Sequence, residues 1–162
     1  MKKIIAAVLL FSAAFAAPAF AADTPFYAGI SAGDGLTVMG GYQIDKMFAA
    51  QLDYTSYNSR SGYTGCGIAN CGNYASANSL GMFGVAVLPL NLKGASGLSV
   101  FGRAGLVHTT VNVWGYTFTD NSVVVGGGAQ YDFNQKFSAR LGLDLNGYYY
   151  SNSLYIGGLM RF

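Results

Sequence analysis

Lys136-Phe137-Ser138-Ala139-Arg140-Leu141-Gly142-Leu143-Asp144-Leu145-Asn146 alternates without a break. Phe137, Ala139, Leu141, Leu143 and Leu145 make one apolar face, and the residues between them are charged, polar or small. A repeat of two is the mark of a strand, because successive side chains leave opposite faces of the sheet. The 11 residues of this stretch match the roughly 9–11 that a tilted strand needs to cross a bilayer.

Working outward, the same pattern predicts strands at Phe26–Gly33, Leu36–Asp45, Met47–Tyr57, Ser79–Leu88, Leu98–Thr109, Ser122–Phe133 and Ser153–Phe162. With Lys136–Asn146 these make eight. Ser79–Leu88 is ambiguous: Leu80, Met82, Ala86 and Leu88 on one side face equally apolar Phe83, Val85 and Val87 on the other. The connections alternate in length. Ile44-Asp45-Lys46, Phe133-Asn134-Gln135 and Pro89–Gly97 read as turns on one side. Gly33-Asp34-Gly35, Asn58–Asn78, Thr110–Asn121 and Gly147–Asn152 read as loops on the other, the external side of a barrel with periplasmic turns.

The first residues carry an export signal. Lys2 and Lys3 precede an apolar stretch from Ile4 to about Ala17, and Ala19-Phe20-Ala21 is a small-x-small cleavage site. The reading is a signal peptide over residues 1–21, removed to leave one domain over 22–162. Lys2 and Lys3 leave with it, so seven Lys/Arg face seven Asp, and no basic surface for nucleic acid survives. Charged residues are only 10% of the chain, against roughly 25% in soluble domains. Such a chain lacks the material for a solvated coat.

Alternation alone does not say which face points outward. The polar faces are rich in Gly, Ser, Thr and Gln, with Gly126, Gly128, Gly142 and Gly157 as examples, which suits a narrow barrel interior. Phe26, Tyr42, Phe48, Tyr131, Phe133, Phe137 and Phe162 gather at the turn-side strand ends of the apolar face, as interfacial girdles do. In lipid a sheet is tolerated only when closed. The predicted fold is all-β: an eight-stranded antiparallel up-and-down transmembrane β-barrel.

The last strand ends Tyr155-Ile156-Gly157-Gly158-Leu159-Met160-Arg161-Phe162. Its terminal Phe162, with Gly157 five residues earlier, resembles the signal that outer-membrane barrels present to the barrel assembly machinery; Met160 stands where that pattern usually has an aromatic residue. With the Tyr131-Asp132-Phe133 turn before a final hairpin, the chain resembles the small OmpA/OmpX-like barrel family, without the peptidoglycan-binding domain of full-length OmpA. The resemblance implies the cell outer membrane as location, with its lipid and lipopolysaccharide as surroundings, and the assembly machinery as partner during insertion. It implies little about activity, since the fold hosts several functions.

The registers place Asp53, Arg103, Arg140 and Asp144 inside at middle depth, and Asp45, Asp132, Lys136 and Arg161 near the periplasmic rim. Charges in a narrow lumen need partners. They predict an ion-pair network that plugs the barrel; a gated ion path is the rival reading.

Cys66 and Cys71 are the only cysteines, with four residues between them and flanked by Gly65, Gly67 and Gly72 in an external loop. In an exported chain they predict a disulfide that stabilises by roughly 2 kcal/mol at most; two thiols alone do not complete a zinc shell. No cofactor is called for. His108, the single histidine, precedes Thr109 and Thr110 at an outer strand end. Lipid A deacylases of barrel type use Ser, His and Glu, and this chain has no Glu, so His108 reads as a rim residue. Tyr57, Tyr63, Tyr74, Trp114, Tyr116, Phe118 and Tyr148-Tyr149-Tyr150 read as an outer aromatic girdle, or as contacts for host or surface ligands through the external loops. The chain is thus read as a non-enzymatic barrel of structural or surface-interaction type, with a narrow pore and a lipid A modifying enzyme as alternatives.

Overall fold

The computed structural model describes residues 25–57, 75–90, 97–113, 116–146 and 152–162. Eight strands form one closed sheet: β1 (Phe26–Ala32), β2 (Gly35–Gln43), β3 (Phe48–Tyr57), β4 (Ala75–Pro89), β5 (Leu98–Val113), β6 (Tyr116–Asp132), β7 (Phe137–Asn146) and β8 (Asn152–Arg161). Each pairs antiparallel with its chain neighbours, and β1 pairs with β8 to close the ring. Closure leaves no strand edge in the wall, which is the condition for placing a sheet in hydrocarbon. Residues 1–24, Cys66, Cys71, Tyr63, Tyr74, Trp114 and Tyr148–Tyr150 lie outside the described residues, and so do the readings made on them.

The apolar face of β7 looks outward: Leu141, Leu143 and Leu145 are 50%, 41% and 49% exposed, while Ser138 and Arg140 are buried inside. The two-sided strand β4 resolves in the same sense. Leu80 and Met82 face out at 57% and 66% exposed, and Phe83 and Val85 are buried in the lumen at 4% and 2%. At the turn side Phe26 packs edge-on against Tyr42, and Tyr131 against Phe133, each with ring centroids 5.2 Å apart on the outer surface.

Two hairpins on opposite sides of the ring share one turn. Asp45 Oδ1 accepts the N–H groups of Met47 and Phe48, both at 2.7 Å, and Asn134 Oδ1 accepts those of Lys136 and Phe137, both at 2.8 Å. A short side-chain oxygen that takes two backbone donors supplies the turn bonds the ladder cannot. This cap ends β2 at Gln43 and starts β3 at Phe48, trimming both strands relative to the sequence reading.

The largest departure is on the external side. Much of Thr110–Asn121, expected as a loop, is strand: Thr110 pairs with Thr119, Val111 with Phe118 and Asn112 with Thr117. The outward positions here are polar, so the apolar alternation that marks a lipid-facing strand stops while the strand continues. β4 likewise begins at Ala75, four positions before the expected Ser79. Tyr57, Tyr116 and Phe118 lie on the face that lower down lines the lumen, so they are not part of a lipid-facing girdle.

Candidate functional site

The lumen is crossed by one hydrogen-bonded chain of side chains. Inward positions on β3, β5 and β7 supply its central members, since those strands place Gln51, Asp53, Arg103, Arg140 and Asp144 on the inner face. Arg103 donates from Nη1 to Asp53 Oδ2 at 2.7 Å and from Nε to Asp144 Oδ1 at 2.9 Å, and its Nη2 pairs with Asp144 Oδ2. β3 and β7 lie four strands apart in a ring of eight, so one guanidinium joins opposite walls.

Below it Arg140 makes a second crossing with neutral partners. Its Nη1 donates to Gln51 Oε1 at 3.1 Å, and its Nη2 and Nε donate to Gln130 Oε1 at 2.8 and 3.2 Å. Gln51 Nε2 donates to Asp53 Oδ1 at 2.7 Å, and Tyr27 O–H donates to Gln51 Oε1 at 2.9 Å. Toward the rim Gln130 Nε2 donates to Asp132 Oδ1 at 2.9 Å, which also accepts from Arg161 Nη2 at 3.2 Å. The chain therefore runs unbroken from Arg161 to Asp144. Gln51 and Gln130 are the largest fully buried side chains among the described residues.

Aromatic rings complete the setting. The Arg103 guanidinium carbon lies 4.4 Å from the Phe83 ring centroid and 4.8 Å from that of Tyr155, and Arg140 lies 4.4 Å from that of Phe101. A guanidinium stacked on aromatic faces keeps its in-plane donors free for carboxylates and amides. Inward glycines make room for the rings: a Cβ on Gly41 would overlap the hydroxyl end of Tyr27, and one on Gly142 would lie 2.5 Å from Tyr155 Cζ.

The residues singled out in the sequence are thus distributed as follows. Asp53, Arg103 and Asp144 meet in one cluster, and Asp132 pairs with Arg161. Arg140 has no ion pair among the described residues, because Gln51, Gln130 and Phe101 surround it. Lys136 is exposed in the β6–β7 turn, where its N–H is capped by Asn134, and it stands outside the network. Asp45 is a turn cap. Of the terminal motif, Tyr155 and Gly157 face the lumen and Met160 takes an alternate, outward position of β8, while Phe162, just past the strand, donates its N–H to the Phe26 carbonyl oxygen at 3.1 Å. Tyr27, Gln51, Gln130, Phe83 and Phe101 were not singled out, since neutral and aromatic residues announce no charge.

His108 faces outward and its Nδ1 lies 2.8 Å from Asn121 Oδ1, while Thr109 is buried on the inner face. The imidazole and that hydroxyl leave opposite sides of the sheet. The chemistry at mid-depth is that of a brace, in which Asp53 and Asp144 share the Arg103 guanidinium and Asp132 takes that of Arg161; higher up, Asp120 has no such partner among the described residues, and its Oδ2 is buried without a hydrogen bond.

A family model for the outer membrane protein beta-barrel domain matches residues 7–158. Among solved structures, the N-terminal β-barrel domain of Pseudomonas aeruginosa OprF aligns with TM-score 0.58 at 18% identity, covering 85% of this chain and 95% of that one. Neisserial surface protein A aligns with TM-score 0.57 at 17% identity, over 85% and 93% of the two chains. The Yersinia pestis outer membrane protein Ail, in a phospholipid bilayer nanodisc, aligns with TM-score 0.57 at 12% identity, over 86% and 100%. At these identities the likeness is one of fold. No curated protein matches the sequence.

Proposed function

The chain belongs to the outer membrane protein beta-barrel domain family, and from that footing we propose that it is a non-conducting, non-enzymatic barrel that works through the part of its wall standing outside the membrane. The observation that carries this reading is the height of one side. β5 and β6 stay paired out to Val113 and Tyr116, well beyond the last wholly apolar outward rung, Met82–Leu106–Val123. Tyr116 and Phe118, 72% and 61% exposed, lie at the top of that hairpin and offer aromatic contact area to a partner. One of the similar structures is of a protein named as a surface protein, in keeping with such a role.

The lumenal network supports the rest of the proposal. Two crossings between β3 and β7 occupy the interior of a barrel that, at eight strands, holds little more than its side chains. Export removes residues 1–21, and the last strand, with Tyr155, Gly157, Met160 and Phe162, is what the barrel assembly machinery engages.

The test compares cells displaying the full chain with cells displaying a variant whose β5–β6 hairpin lacks residues 110–119, on immobilised extracellular-matrix proteins. Adhesion lost with the hairpin is the expected result; equal adhesion by both, or none by either, overturns the surface role. Stepwise single-channel conductance in a planar bilayer would overturn the plugged lumen. A change in the lipid A mass spectrum that disappears in His108→Ala would overturn the non-enzymatic reading.

A further inference from the structure

The outward positions of β4, β5 and β6 form cross-strand rungs that can be followed from the bilayer outward. Met82–Leu106–Val123 is wholly apolar and Leu80–His108–Asn121 is mixed. The next two, Asn78–Thr110–Thr119 and Ser76–Asn112–Thr117, are wholly polar. The outer surface changes solvent within one rung. None of the six side chains beyond it carries a charge, and each combines donors with acceptors as a sugar hydroxyl does.

Height decides what lies against them. From Leu106, Asn112 is six residues further along β5, which at ~3.4 Å per residue and a 45° tilt is about 14 Å of rise. A phospholipid headgroup layer spans only roughly 5–7 Å on each side of the hydrocarbon. The polar wall therefore outruns phosphate and glycerol. A wall built for phosphate would present Lys or Arg, and one built for a protein partner would present an aromatic or aliphatic centre; the two outer rungs of β4, β5 and β6 have neither, and Tyr54 at their edge turns its hydroxyl to Asn78. It also continues without a step from the lipid-facing belt, so what abuts it is the outward extension of the molecules that touch Leu106 and Val123.

We infer that this face is a docking wall for the neutral sugars of an outer-leaflet glycolipid. Its groups are prearranged for that role: Thr117 Oγ1 donates to Asn112 Oδ1 at 2.6 Å, and Tyr54 O–H donates to Asn78 Oδ1 at 3.2 Å, fixing both amides in the plane of the wall. The inference rests on the outer-membrane placement and not on adhesion, so it stands or falls apart from the hairpin-deletion result.

The test titrates the full folded chain in detergent, by native mass spectrometry, with three probes: lipopolysaccharide bearing a neutral core oligosaccharide, lipid A without that core, and phosphatidylglycerol. The core-bearing glycolipid is expected to bind about tenfold more tightly than lipid A. In the isosteric variant T110V/T117V/T119V, and in the single variant Asn112→Ala, that preference shrinks while lipid A binding stays unchanged. Both variants are first shown to be folded by their compact migration on unheated gels. Equal binding of core-bearing and core-free lipid by the parent chain, or an undiminished preference in both variants, overturns the inference.

Discussion

Gln51 and Arg140 occupy corresponding positions of two hairpins and meet across the lumen at 3.1 Å. Each lies three residues after the Phe that closes the shared turn, Phe48 in one case and Phe137 in the other. The counterpart of an arginine is thus a neutral amide, and that amide serves three neighbours at once.

Gln51→Leu keeps the size and removes all three bonds, to Tyr27, Asp53 and Arg140. Buried groups left without partners cost about 1–3 kcal/mol each. The variant is expected to lose on the order of 3 kcal/mol, read as a lower urea midpoint for the compact form on unheated gels. An unchanged midpoint would show that the amide is dispensable.

Arg103 makes a sharper contrast. Arg103→Gln leaves Asp53 and Asp144 buried with no cation, and a broken buried pair costs roughly 3–5 kcal/mol. The triple variant D53N/R103Q/D144N removes the charges together and is expected to be closer to the parent than the single variant. The same urea series decides it; a triple variant worse than R103Q would contradict the ion-pair account.

Legibility in the sequence followed the difference between the two solvents of the wall. β7 was readable because Leu141, Leu143 and Leu145 meet lipid while Arg140 and Asp144 do not. β4 was not, because Phe83 is an inward apolar residue that serves the face of Arg103, a role that resembles a lipid contact in one dimension. The tall hairpin was hidden for the opposite reason: Thr110, Asn112, Thr117 and Thr119 are polar outward residues, which read as loop. Charge named Asp53, Arg103 and Asp144, but nothing in one dimension tells that Arg140 is held by amides or that the turn carries Lys136 past the rim.

Gly126 faces Asp144 in the β6–β7 register, and a Cβ there would overlap Asp144 Oδ1 and lie 2.8 Å from the Leu143 carbonyl oxygen. Gly126→Ala is expected to cost about 1–3 kcal/mol by overpacking. Gly84→Ala, whose Cβ meets nothing closer than the Ala104 carbonyl oxygen at 4.0 Å, is the outward control and should be neutral. Equal effects of the two would remove the packing argument.

On the outer face, Leu143→Arg places a charge against lipid and is expected to destabilise by roughly 2–4 kcal/mol at mid-depth. Reversible folding in lipid vesicles measures it. A neutral result would mean that Leu143 lies outside the hydrocarbon.

The shared turn predicts an exchange. Asp45→Asn and Asn134→Asp each keep an oxygen for the two N–H groups and are expected to fold as the parent does, whereas Asp45→Ala or Asn134→Ala loses about 1–2 kcal/mol. Hydrogen exchange at the amides of Met47, Phe48, Lys136 and Phe137 reports which bonds survive.

The recurrence of that turn has a wider consequence. Gln51 and Arg140, 89 positions apart in the chain, stand at the same step past their turns, so the two capped hairpins set the level at which opposite walls touch. A residue inserted into either turn would shift one partner of that contact and leave the other where it was.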